Sequence, residues 1–248
     1  MEITSVNNNL VKEIVKLQQK KYRSQSGKFL LEGYKAIKEA FDAGIELENI
    51  FVEKNHLQEY NFAQNIVIET IEPVLKKLST TESAPEAVAV GFQKKYDKNI
   101  LKNTKKVVLL EDIKDLGNLG TIIRSSVAFG TDAIILYGDS VDIYNPKCVR
   151  ASVGNLWKLP VIHLKDFKEL EETFKDFERI ATLPRSTNLL KTFKPSFPCL
   201  LMFGSEANGL SEDLINFSTN SVKIEMANTV ESLNLASSAS IILYELFV

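Results

Sequence analysis

Two cysteines, Cys148 and Cys199, and two histidines, His56 and His163, are all that this 248-residue chain offers for disulfide or soft-metal chemistry. Two thiols are too few for a disulfide framework or a zinc ribbon, so no structural metal is expected. The chain also has no apolar run near the roughly 20 residues that a bilayer span needs. Its opening, MEITSVNNNLVKEIVKLQQKK, lacks the apolar core of a signal peptide, which gives the expectation of a cytoplasmic protein with no membrane partner. A strong charge of either sign is missing: 30 basic and 32 acidic residues leave a net charge of -2. That balance argues against a generic nucleic-acid binder, whose phosphate affinity comes from clustered Lys and Arg. Internal repeats, a phosphate-gripping Walker loop, a zinc-protease helix and the glycine fingerprint of Rossmann-type enzymes are absent as well. With 44% hydrophobic and 25% charged residues, neither disorder nor a fibrous repeat is indicated.

What is there is unevenly distributed. Between Val11 and Lys38, eight basic residues (Lys12, Lys16, Lys20, Lys21, Arg23, Lys28, Lys35, Lys38) face only Glu13 and Glu32. Val6, Leu10, Ile14 and Leu17 recur at helical spacing, which predicts an amphipathic basic helix over Val6–Gln19 with Ser5 as its N-cap. A strand at Phe29–Leu31, a helix from Tyr34 to Ala43 closed by Gly44, and strands at ENIFVEK, NIVIET and AVAVGFQ follow, with Pro73 opening a helix between the last two. These make an alternating α/β layer over residues 1–96. QKKYDKNILKNTKK then carries six lysines and few large apolar groups, so residues 97–104 are read as a linker.

Beyond it, residues 105–248 form a second domain. The runs KVVLLED, DAIILYG, LPVIHL, RIATLP, CLLMFG and SVKIEM are apolar throughout, as strands of a parallel sheet covered on both faces must be. Helical segments TIIRSSVAFG, FKELEETFKDF and SSASIILYELF alternate with them, giving a doubly wound α/β fold. Trp157, Tyr144 and Phe203 are read as core or interface rather than base-stacking platforms, and neither histidine needs a ligand role.

In open α/β sheets, ligands bind beyond the carboxyl ends of the strands. Three loops there stand out. In EDIKDLGNLGTIIRSSVAFG a strand leaves through a Gly-Asn-Leu-Gly turn into a helix bearing Arg124, so backbone near Gly117 and Gly120 can approach a ligand. FGSEANGLSEDL leaves its strand through Gly204, with Glu206 available to accept hydrogen bonds. KIEMANTVESLNLASSASIILYEL runs from strand through loop into a small-residue helix, for which Ser232 is the expected N-cap and where Ala236 to Ser240 allow close packing on another backbone.

Each glycine turn alone reads as a plain helix start. Together, in this order, they resemble the three signature motifs of the SpoU (TrmH-type) family of SPOUT methyltransferases. Asn118, Gly120 and Arg124 match the first motif, Gly204, Ser205, Glu206, Gly209 and Leu210 the second, and Ile224, Met226, Ser232, Leu233 and Asn234 the third. PKCVRASVGNLWKLPV is similar to a further family segment through Arg150, Ser152 and Gly154, and SVNNNLVKEIVKLQQKKYRSQSGKFLLEG to the family's substrate-binding module. Departures are Glu225 at the usual proline, Ala227 at the usual glycine, Ala236 and Ser238 in the third motif, and Ala207 in the second.

The resemblance implies a small ribosomal-protein-like α/β/α domain for RNA, a C-terminal trefoil knot, homodimers, and 2'-O-methylation of RNA ribose with S-adenosyl-L-methionine. It assigns the cofactor to backbone groups around Gly204, Ile224, Met226 and Leu233, and the catalytic group to Arg124, Asn118, Glu206, Ser232 and Asn234. A guanidinium stays protonated, so Arg124 is expected to grip the 3'-phosphate while Glu206, Ser232 or a water takes the proton. Asn118 is read as a loop and helix-cap organiser, and Glu231 as solvated. RNA contacts are expected from Lys12, Lys20, Lys21 and Arg23, and from Arg150, for which a dimer contact is equally open. Large-subunit (23S) ribosomal RNA is the first substrate reading and transfer RNA the second; a non-catalytic RNA-binding or ribosome-assembly factor of the same fold is the alternative of another class.

Overall fold

The computed structural model describes residues 1–227 and 232–248. They divide into two compact units, one of residues 1–95 and 142–157, the other of residues 96–141 and 158–248.

The first unit contains β1 (Glu2–Ile3), α1 (Asn9–Val15), α2 (Lys20–Ser26), β2 (Lys28–Glu32), α3 (Tyr34–Asp42), β3 (Leu47–Glu53), β4 (Val67–Thr70), α4 (Glu72–Leu78) and β5 (Ala87–Phe92). Its sheet has the order β1-β4-β3-β5-β2, with β5 antiparallel to both neighbours. The helix expected over Val6–Gln19 is shorter, with α1 beginning at Asn9 and a 3-10 turn continuing it to Gln18. Asn8, not Ser5, caps α1 by accepting from Leu10 N, and Ser5 Oγ accepts from Asn7 N one turn too early to start a helix. A single 3-10 turn, Lys16–Gln18, and an extended Gln19 then separate α1 from α2. Val11, Ile14 and Leu17 of this run reach one core with Leu30, Phe51, Val88 and Val90 of the sheet and Val74, Leu75 and Leu78 of α4.

The second unit runs through β6 (Lys106–Glu111), α5 (Leu116–Ala128) and β7 (Ala133–Tyr137). After β7 the chain makes α6 (Pro146–Ser152), which belongs to the first unit, and returns for β8 (Val161–Leu164), α7 (Phe167–Phe174), β9 (Glu178–Thr182), β10 (Cys199–Phe203), α8 (Glu212–Phe217), β11 (Asn220–Val222) and α9 (Leu235–Phe247). The six strands are all parallel, in the order β11-β9-β10-β6-β7-β8. Strand order reverses at β10 and β6, the position where a doubly wound sheet opens a crevice. Leu101, in the lysine-rich stretch read as a linker, is buried in this core on a 3-10 turn, so that stretch is anchored rather than free.

Residues 142–157, expected inside the C-terminal domain, complete the first unit instead. Phe29 packs on Tyr144 and Trp157 at ring-centroid distances of 4.9 and 5.2 Å. Arg23, expected on an RNA surface, is 1% exposed: its Nε donates to Asp142 at 2.8 Å and its NH1 to the carbonyls of Leu17 and Gln18. Arg150 is likewise committed, donating to Glu32 at 2.8 Å and to Thr80 Oγ1 at 2.7 Å. Counting charges along a sequence cannot separate such internal cations from solvated ones. Lys12, Lys20 and Lys21 are exposed.

A buried cation that loses its partner is costly, and so is the partner left behind. Arg23→Ala is therefore expected to cost on the order of 3–5 kcal/mol in chemical denaturation, against less than about 0.5 kcal/mol for Lys12→Ala; equal effects would return Arg23 to the surface. Cys148 and Cys199 are fully buried, and burial pushes both thiols up to about 12. Neither thiol should react with an alkylating reagent near pH 8 in the native protein, and both should react once it is unfolded.

Candidate active site

At the crevice, the loop after β10 folds back on its own start. A Cβ at Gly204 would lie 1.9 Å from the carbonyl carbon of Gly209 and 2.1 Å from Leu210 N, so only glycine fits. Ser205 and Gly209 exchange backbone hydrogen bonds of 3.1 and 2.9 Å, and Gly209 takes a φ of 69° that glycine adopts without strain. Glu111, buried at the end of β6, accepts from Ser211 N at 2.7 Å and ties the loop to the neighbouring strand.

Two cavities meet at this loop. One, of about 540 Å³, is lined by Thr182 at the end of β9 with Leu183 and Pro184 after it, by Phe203 to Glu206, by Lys223, Ile224 and Met226 after β11, and by Ser232 to Leu235 leading into α9. The other is an open groove of about 830 Å³ between the ends of β6 and β10, lined by Asp112, Lys114, Asp115 and Asn118 on one side and Ser205 to Asn208 on the other. Ser205, Glu206 and Asn234 belong to both.

A chain of side-chain amides fixes their common wall. Asn118 Nδ2 donates to Glu206 Oε1 at 2.7 Å, and Asn234 Nδ2 donates to Asn118 Oδ1 at 2.9 Å. Asn234 Oδ1 accepts from the backbone N–H groups of Ala236 and Ser237, which makes Asn234 the N-cap of α9. Ser232 is the cap expected from sequence, but a cap must sit one residue before the first helical turn, and that residue is Asn234. The Gly-Asn-Leu-Gly segment is also not a turn. Asp115 accepts from Asn118 N and starts α5 at Leu116, which places Gly120 inside the helix and buried. Asp115 thus does the capping, which leaves the Asn118 amide free to join the loops. Ser125 Oγ and Ser240 Oγ lie 2.6 Å apart, so α9 packs its small residues against α5.

The structure brings together Gly204, Ile224, Met226, Ser232 and Leu233 around the 540 Å³ cavity, with Glu206 and Asn234 at its junction with the groove and Asn118 in the groove, bonded to both. Arg124 is not in either lining; it is exposed on the face of α5 shared with Thr121 and Ala128. Glu231 lies outside the described residues. Asp112, Lys114, Lys223 and Thr182 to Pro184 escape the sequence reading. Asp112, Lys114 and Lys223 lie in loops already singled out but carry no motif match, while Thr182 to Pro184 end and follow β9, so the rule that ligands bind at carboxyl strand ends, applied to every strand, would have found them. No cluster of metal-ligating side chains occurs among the described residues, and among them no helix is long and apolar enough to cross a membrane.

The sequence model of the SpoU rRNA Methylase family matches residues 105–244, and that of the MRM3-like substrate binding domain matches residues 8–89. An uncharacterized tRNA/rRNA methyltransferase of Synechocystis is 34% identical over 98% of this chain and 92% of its own length. The 23S rRNA (guanosine(2553)-2'-O)-methyltransferase RlmP of Bacillus subtilis is 26% identical over 99% and 98%. A crystal structure of an AdoMet-bound rRNA methyltransferase from Sinorhizobium meliloti superposes with a TM-score of 0.89 at 28% identity, covering 99% of this chain and 96% of that one. One family model spans more than half of the chain and full-length relatives span nearly all of it, so the chain belongs to the SpoU rRNA methylase family.

Proposed function

We propose that this chain is an S-adenosyl-L-methionine-dependent RNA 2'-O-ribose methyltransferase acting on 23S ribosomal RNA. The observation that carries the reading is the wall of Ser205, Glu206 and Asn234, which two adjoining cavities share, one running between the loops after β9, β10 and β11 and the other a groove between the ends of β6 and β10. A donor held in the first meets an acceptor laid in the second only across that wall. The cavity falls within the roughly 300–1,000 Å³ of small-molecule sites and mixes aliphatic side chains with loop backbone, which suits an adenine ring. Glu225 and Ala227, the departures from the family pattern, do not line it. The catalytic reading is therefore preferred to a binding factor that has lost its cofactor. Transfer RNA is the second substrate reading.

The cofactor supplies a methyl group activated by a sulfonium leaving group. The chain's own residues must align a ribose hydroxyl and take its proton. Glu206 is placed to take that proton, because Asn118 holds Oε1 and Oε2 has no hydrogen-bond partner among the described residues. Asn234 keeps the Asn118 amide pointed at Glu206, and Ser232 stands beside them. Arg124, permanently protonated, grips phosphate rather than removing a proton. Because it lies outside both linings of its own chain, it acts in a homodimer, on the acceptor held at the partner's groove. The exposed apolar side chains Ile241 and Tyr244 of α9, beside α5, support that assembly. Lys12, Lys20 and Lys21 bind RNA backbone, and the loops enclosing the cavity belong to a trefoil knot in a cytoplasmic enzyme.

Calorimetry should show cofactor binding to the wild type and to Arg124→Ala alike, with methyl transfer to 23S RNA abolished in the variant. Turnover by Arg124→Ala would refute its role, and no binding at millimolar cofactor would favour the binding factor. Mapping 2'-O-methyl sites with and without the gene identifies the RNA. Glu206→Gln preserves the hydrogen bond from Asn118 but not the base, so kcat should fall by roughly 10²–10⁴-fold with cofactor affinity little changed.

A further inference from the structure

Charged residues are few in the lining of the 540 Å³ cavity. Among the described residues they are Glu206 and Lys223. Glu206 stands at the junction with the groove, while Lys223 lines the cavity and not the groove. Its backbone is pinned on both sides, Lys223 N donating to Asn188 O at 3.0 Å and Lys223 O accepting from Leu190 N at 2.9 Å. Its ammonium has no hydrogen-bond or ion-pair partner among the described residues.

The sulfonium cofactor brings two positive centres and one carboxylate. Charges withdrawn from water must be paired or hydrogen-bonded. A cation next to the sulfonium would oppose binding, and a cavity with no cation would leave the carboxylate without a charged partner. Placing the anionic side chain at the transfer end and the cationic one away from the groove satisfies both demands. Resting on the cofactor reading above, we propose that the ammonium of Lys223 holds the carboxylate of the cofactor's methionine moiety. The adenine and ribose are then left to backbone groups and aliphatic side chains, and discrimination between the cofactor and adenosine-containing compounds without an amino-acid tail comes from Lys223.

Two inert ligands separate this role from a structural one. S-adenosylhomocysteine carries the amino-acid tail and 5'-methylthioadenosine lacks it. Titrated by calorimetry into the full chain, Lys223→Met should bind S-adenosylhomocysteine about tenfold more weakly than wild type, with 5'-methylthioadenosine changed by less than about twofold. Lys223→Arg should recover most of the difference. The proposal fails if Lys223→Met binds S-adenosylhomocysteine as wild type does, or if both variants lose the two ligands in parallel. A wild type that binds neither ligand would bring down the cofactor reading itself, and this assignment with it.

Discussion

Everything at the crevice depends on a backbone closure. The loop after β10 returns so tightly on Gly204 that no side chain fits there, and the Ser205 and Gly209 hydrogen bonds hold it. That closure presents Glu206 at a fixed place, but a lone exposed carboxylate on a loop would still sample many rotamers. Asn118 and Asn234 remove that freedom. Each amide donates on one side and accepts on the other, so the orientation of one dictates the next, from the α9 N-terminus through the first turn of α5 to Glu206. Three segments far apart in sequence thus become one rigid wall.

Much of this was legible from the residues. Apolar runs located every strand except the two-residue β1, and the order of motifs identified the three loops that meet. The misreadings share a cause: sequence specifies side-chain chemistry, not the competition between neighbours for one backbone group. Ser5 and Asn8, or Ser232 and Asn234, are equally good caps on paper, and only the first helical turn decides between them. Gly117 and Gly120 suggested a loop because glycine weakens helices, yet Asp115 caps the turn and Gly120 is buried within the helix. Arg23 and Arg150 were indistinguishable from solvated lysines until Asp142 and Glu32 were found beside them. The crossover between β7 and β8 was invisible as a part of the first unit because no local pattern encodes which sheet a helix will cover.

Departures from the motif sort themselves the same way. Glu225 and Ala227 stay out of the lining, while Ile224 and Met226, which match, line the cavity. The lining takes Val222 to Ile224 and then Met226, passing over Glu225. A change of residue type at Glu225 or Ala227 leaves the lining residues themselves unchanged. Tolerance of such changes is what recognition through backbone and aliphatic contacts predicts.

Charge is divided in a manner that the net value of -2 conceals. The groove is acidic, with Asp112, Asp115 and Glu206 in its lining and the single cation Lys114 paired with Asp139. A phosphodiester entering it would be repelled, whereas a ribose hydroxyl or a base N–H would be welcomed as a donor. On the proposed function, affinity for RNA would come from residues other than those lining the groove, and Lys12, Lys20, Lys21 and Arg124 are exposed. Separating the two has a chemical advantage. Cations crowded against Glu206 would stabilise its ionised form and weaken the base proposed above, whereas a groove lining whose cation is already paired with Asp139 would leave the carboxylate free to accept a proton.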